Sequence, residues 1–304
     1  MKITSNPSKG LVVAAFMMAA LFTGCKKDDS SAATDQQEKQ EYAANTTQAD
    51  AESDAVFDDV LNNVLGVNSE VAIGGTGVFA ARTGTAPVNG KEYGVDGPTC
   101  FTVAFTKLNG SNAFPLQVVI DFGTGCTALD GRTRKGKMVI VYTGRLILPG
   151  NSATTTFDGY YLDSLKVEGT HKVTNTSTQD KRSFAIEVTG AKLTRPNGNY
   201  NTWNSTKTIT QTGGVATLLD LSDDVFSITG QASGTLKKGD KTYEWDAAIT
   251  SPLIKKLTCW WISQGTITIS HNNTPVGVLD YGTGQCDRKA TLTVNGVVLE
   301  ISLV

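Results

Sequence analysis

The sequence predicts an all-β fold, a large antiparallel β-meander or sandwich with two disulfide-pinned repeat units and one short N-terminal helix. Three observations carry that prediction. Runs rich in Thr, Val and Ile recur about every ten residues, divided by turn signals in a chain with 31 glycines in 304 residues, the signature of many short strands. No helical stretch long enough to cross between parallel strands separates those runs, so the strands must pair antiparallel. Finally, "VVIDFGTGC", ending at Cys126, and "VGVLDYGTGQC", ending at Cys286, are versions of one unit.

The first 24 residues read as a leader. Lys2 and Lys9 form a basic head, Leu11 to Phe22 an apolar run, and Thr23-Gly24 precede Cys25. Twelve apolar residues are too few for a membrane span, which takes about 20. The stretch "LFTGC" resembles the lipobox of bacterial lipoproteins, which implies that residues 1–24 are removed and that Cys25 is lipidated. Lys26-Lys27-Asp28-Asp29 resembles the charged signal that sends lipoproteins of Bacteroidetes-type bacteria to the cell surface. Residues 25–54 are polar, with Tyr42 as their one large side chain, and are expected to be a disordered tether. The folded domain is expected at 55–304.

That domain opens with the helix. In "DAVFDDVLNNVLG", Val56, Phe57, Val60, Leu61, Val64 and Leu65 recur at helical spacing and Gly66 ends the pattern. From there the period changes to two. Strand candidates include "PLQVVIDF", "GKMVIVYTGRLIL", "RSFAIEVTGAKLT", "KTYEWDAAITS" and "KATLTVNGVVLEISL". Turn signals between strands include Asn197-Gly198, Gly239-Asp240 and Asn295-Gly296. Several strands alternate Thr or Ser with apolar residues, which leaves one sheet face wet.

With Cys25 assigned to lipid, four cysteines remain in an exported chain, an even number that suggests disulfides. Three pairings are open, and the repeat selects one. Cys100 precedes Asp121 by 21 residues and Cys259 precedes Asp280 by the same 21. Pairing Cys100 with Cys126 and Cys259 with Cys286 makes equivalent loops within repeat units at about 98–148 and 257–304.

Chemistry is sparse. Residues 26–54 carry three lysines against eight acids, which leaves the 55–304 body nearly neutral, without a basic footprint for nucleic acid. His171 and His271 are the only histidines, and neither stands at metal-ligand spacing. Asp220, Asp223 and Asp224 form no calcium loop. No cofactor or metal is expected. Trp203 and Trp261 are candidate ligand-contact aromatics, since an outward aromatic row can stack on sugar rings.

The duplicated aspartates resemble the aspartic-protease arrangement, in which two carboxylates share a proton. That family, however, has a small hydroxyl residue beside each aspartate, where this chain has Phe122 and Tyr281. The competing reading is that Asp121 and Asp280 accept N–H bonds from their own glycine turns.

Taken whole, "LFTGCKKDD", "DFGTGC", "DGRTRKGK", "YTGR" and "DYGTGQCD" resemble uncharacterised Bacteroidetes-type cell-envelope lipoproteins. The resemblance implies an outer-membrane lipoprotein at the cell surface, held through its lipid, and carries no activity; the lipid anchor, the wet sheet face and the near-neutral body suggest a glycan or other envelope component as partner. The expected role is a non-enzymatic binding or structural module. The alternative is a hydrolase using the duplicated Asp-aromatic-Gly-Thr-Gly motif.

Overall fold

A computed structural model describes residues 29–302 apart from 69, 75, 80–99, 129, 217–222, 257 and 260. The lipobox and Cys25 lie outside the described residues. Strands β1 (Thr102–Lys107), β2 (Leu116–Asp121), β3 (Cys126–Thr127), β4 (Thr133–Tyr142), β5 (Ser152–Leu162), β6 (Leu165–Asn175) and β7 (Ser183–Thr194) form the first half. The second half has β8 (Tyr200–Gly213), β9 (Val225–Lys238), β10 (Lys241–Lys256), β11 (Gln264–His271), β12 (Thr274–Thr283), β13 (Lys289–Val294) and β14 (Val297–Ser302). Every pairing is antiparallel and the spatial order follows the chain, β1-β2-β4 through to β14, with the short β3 beside β4. The result is one open meander and not two stacked sheets.

Local chemistry explains the order. Two-residue turns at Asp163-Ser164, Gly239-Asp240, Asn272-Asn273 and Asn295-Gly296 return each strand directly to its neighbour. Asp163, Gly239, Asn272, Asn273, Asn295 and Gly296 have positive φ, the twist a tight hairpin requires. Alternation then sorts the side chains. On one face lie Val118, Ile120, Met138, Ile140, Leu193, Trp203, Trp245, Ile269, Leu279 and Leu292, all buried. The other face is rich in Thr, Ser and charged residues.

The apolar face is covered by helix α1, Asp29–Gly66, which is 38 residues long and touches β5, β6 and β8 through β13. Here the structure corrects the sequence reading: residues 29–54 are helix, not a disordered tether, and the helix is not short. Ala, Gln and Glu favour a helix locally. Before residue 55 the buried side is small and polar, made of Ala43, Asn45, Thr46, Thr47, Ala49, Asp50 and Ser53, so this part of the helix settles against bulky partners supplied by the sheet. Its own composition therefore looks too polar to fold. Gly66 ends the helix as expected, with its Cα packed against the Thr76 carbonyl, where a Cβ would stand 2.0 Å from that oxygen.

Candidate functional site

The repeat is real in topology. Toward each end of the sheet lies a hairpin in which a disulfide joins the chain before its first strand to the chain just after its second, Cys100–Cys126 around β1 and β2 and Cys259–Cys286 around β11 and β12. The equal spacing of 21 arises differently in the two units. Residues 108–115 form a long connection between β1 and β2, whereas β11 and β12 meet at the tight Asn272-Asn273 turn and the extra length lies between Cys259 and β11.

Each duplicated aspartate belongs to its own turn. Asp121 Oδ1 accepts the Gly123 N–H at 2.8 Å, and Asp280 Oδ1 accepts the Gly282 N–H at 2.8 Å. Asp121 also lies 3.4 Å from Lys137 Nζ. Strand alternation sends the next residue to the other face. Phe122 is buried against Phe101 and Tyr160, and Tyr281 packs on the core. The motif thus places a turn-capping acid outside and an aromatic inside. Along the sheet order the two aspartate-bearing strands are nine steps apart. Both acids lie on the face away from the helix, so the geometry brings no carboxylate pair together.

Trp203 requires a correction. It is 1 % exposed, and its indole N–H donates to Asp50 Oδ1 of the helix at 2.9 Å, while Phe57 stacks on its ring at 5.5 Å. As an inward residue of β8 it seats the helix and offers no surface to a ligand. Trp261 is half-buried just before β11. The outward aromatics are Tyr161 and Tyr200, each with a lysine ammonium over its ring, Lys135 at 4.3 Å and Lys192 at 4.6 Å.

Beneath the helix lies a set of polar clamps that sequence reasoning missed. Arg134, fully buried, meets Asp59 through Nε to Oδ2 at 3.1 Å and through Nη2 to Oδ1. It also meets Asp130 through Nη2 to Oδ2 at 2.6 Å and Nη1 to Oδ1 at 3.2 Å. Burial pushes the guanidinium pKa down, but the bonds to Asp130 and Asp59 outweigh it, so the net shift is upward. Asn201 donates to the Ala49 carbonyl and to Ser53, and Lys207 pairs with Asp54. Burial raises the Asp50 carboxyl to about 6 and lowers the His171 imidazole to about 4. The one available signal was "DGRTRKGK", whose second arginine falls on the apolar face of its strand. Asp224 likewise is buried and accepts from Gln211 Nε2 at 2.6 Å.

On the outer face a polar trough of about 260 Å³ opens across β8 to β11. Its rows follow the register: Thr202, Thr235 and Glu244 in one, Asn204, Ser233 and Asp246 in the next. Small hydroxyl residues on β9 form the floor between the longer Asn204 and the two acids. These residues are scattered through the sequence and converge only once the register is known. Among the described residues no group of three or more His, Cys, Asp or Glu side chains could hold a metal ion, and no helix is long and apolar enough to cross a membrane. No protein-family model, curated protein or solved structure matches the chain.

Proposed function

We propose that the protein is a lipoprotein anchored through Cys25 in the outer membrane, exposed at the cell surface, and acting there as a non-enzymatic binding or structural module. The observation that carries this reading is the lipobox "LFTGC" followed at once by Lys26-Lys27-Asp28-Asp29. Helix α1 starts at Asp29, three residues beyond the cysteine's own neighbour Lys26, and Asp35 to Lys39 are exposed. Residues 29–40 then form a helical stalk of about 18 Å at 1.5 Å per residue, ahead of the first clamp at Glu41 to Lys241. The stalk holds the sheet off the anchor more firmly than a flexible linker of equal length.

The wet outer face, with its trough of hydroxyl, amide and carboxylate groups, supports a binding role toward a neutral envelope glycan, because these groups match sugar hydroxyls and the two acids repel anionic chains. The hydrolase alternative loses its geometric support, since Asp121 and Asp280 stand on distant strands with their own turn partners. Protease shaving of intact cells tests the location: digestion of the body before the membrane is broken is expected, and protection until rupture overturns surface exposure. A glycan-array screen of the full chain tests the role. Binding that falls with Asn204→Ala or Asp246→Ala is expected, and loss of binding to every envelope polysaccharide leaves the structural role.

A further inference from the structure

The free edge of β14 is built to pair. Val294 and Val297 face each other across Asn295-Gly296. In such a hairpin Val297, Leu299 and Ile301 turn their N–H and C=O groups toward β13, while those of Val298, Glu300 and Ser302 point away from the sheet. Among the described residues no strand lies on that side, where the sheet order ends. Val297–Ser302 has one charge, no proline and no bulge, so it lacks the usual devices that keep an edge from pairing. Val298, at 60 % exposure, is the most exposed large apolar side chain among the described residues. On the inner face Leu299 and Ile301 pack on Leu292 and Val294 but stay half-covered, so the core stops short at this edge.

We propose that β14 joins two copies of this chain, pairing antiparallel with its own mate about a two-fold axis at Leu299. The sequence of the strand selects that centre. A two-fold at Glu300 sets like charges directly opposite, which is unfavourable. A two-fold at Val298 sets Glu300 against the turn residue Gly296. With the axis at Leu299, Val298 faces the mate's Glu300 on both sides of the axis, and these outward-pointing residues exchange four backbone hydrogen bonds. On the inner face Leu299 meets Leu299, and Val297 meets Ile301, so the apolar row runs on from one sheet into the next. The interface uses the same patch twice and closes as a dimer.

The test uses the full chain in mild detergent. Light scattering is expected to give twice the monomer mass. Leu299→Cys is expected to form a disulfide-linked dimer under mild oxidation, because a residue opposite itself at a non-hydrogen-bonded site has a Cα separation of about 4.5 Å. Val298→Cys, which faces Glu300, is not expected to do so. Val298→Glu sets two acids opposite Glu300 and should weaken dimerisation about tenfold or more, whereas Val298→Lys should not. Val298→Glu combined with Glu300→Lys should restore it. Both positions are exposed, so the fold of the protomer should be kept, read as an unchanged circular dichroism spectrum, while the melting temperature of Val298→Glu should lose its concentration dependence. A monomer at every concentration up to the solubility limit overturns the proposal. Equal loss with Val298→Glu and Val298→Lys overturns the register, and open-ended chains that grow with concentration place β1 of the next copy against β14 instead.

Discussion

Arg134 of β4 and Asp59 of the helix form a two-pronged ion pair in which the arginine is closed to solvent and the aspartate nearly so. The pair locks the helix to the first half of the sheet. Asn63 adds to it, donating to Asp59 Oδ2 at 3.1 Å and accepting the Val78 N–H at 2.9 Å, so the segment after the helix is tied to the same carboxylate.

Arg134→Met should therefore cost about 3–5 kcal/mol, since it leaves Asp59 charged and buried without its partner. Asp59→Leu together with Arg134→Met should cost clearly less than the two single changes added. Urea midpoints of the three variants form the cycle that measures this, and strict additivity would deny the coupling.

A chain started at residue 55 should fail to fold cleanly. It lacks Glu41 to Asp54, and so strips the cover from Trp203, Asn201 and Tyr243, which meet Asp50, Ala49, Ser53 and Glu41. Loss of near-UV circular dichroism and dye binding to the bared face are the expected readouts. A chain started at Asp29 should keep the native spectrum.

His171 and Asp50 should act in opposite directions on stability between pH 6.5 and 4. His171 titrates near 6.5 when unfolded and at about 4 when folded, so the unfolded state binds the proton first and stability falls as pH drops through that window. Asp50 moves from 3.8 to about 6, so the folded state binds the proton first and stability rises as pH drops from about 6 to 3.8. Each effect is on the order of 3 kcal/mol and the two oppose one another, while Asp58, whose carboxyl is likewise raised by desolvation, acts in the same sense as Asp50. Relative to the unmutated chain, Asp50→Asn should steepen the acid loss in melting temperature and His171→Leu should lessen it. Parallel slopes in the two variants would refute the assignment.

Non-reducing peptide mapping should give Cys100 with Cys126 and Cys259 with Cys286. Replacing either pair by alanine should cost about 3.5 kcal/mol in the chain-entropy model, given sequence separations of 26 and 27. Because each bridge pins a different end of the sheet, the two losses should add. Chemical denaturation of the single and double bridge variants measures this.

The sequence by itself determined the strands, their antiparallel pairing and both bridges, and left open whether they form a meander or a sandwich. These features are local: Asn295-Gly296 sets its own hairpin, and a Thr-Val-Ile run carries its own period. It also offered the turn role of Asp121 and Asp280 as one of two readings, because a short acid two residues before a glycine N–H can find its partner within its own turn. Only the tertiary structure decided residues 29–54, Trp203 and Arg134. The stretch before residue 55, whose buried side is mostly Ala, Thr and Ser, has too little apolar surface to declare itself, and it is held by partners such as Trp203 and Asn201 far away in sequence. Trp203 reads as outward when its neighbours are polar, but those neighbours, Asn201 and Ser205, are buried too, their amide and hydroxyl groups bonded to the helix and to the adjoining strand. Alternation names two faces, and the helix decides which of them is the core.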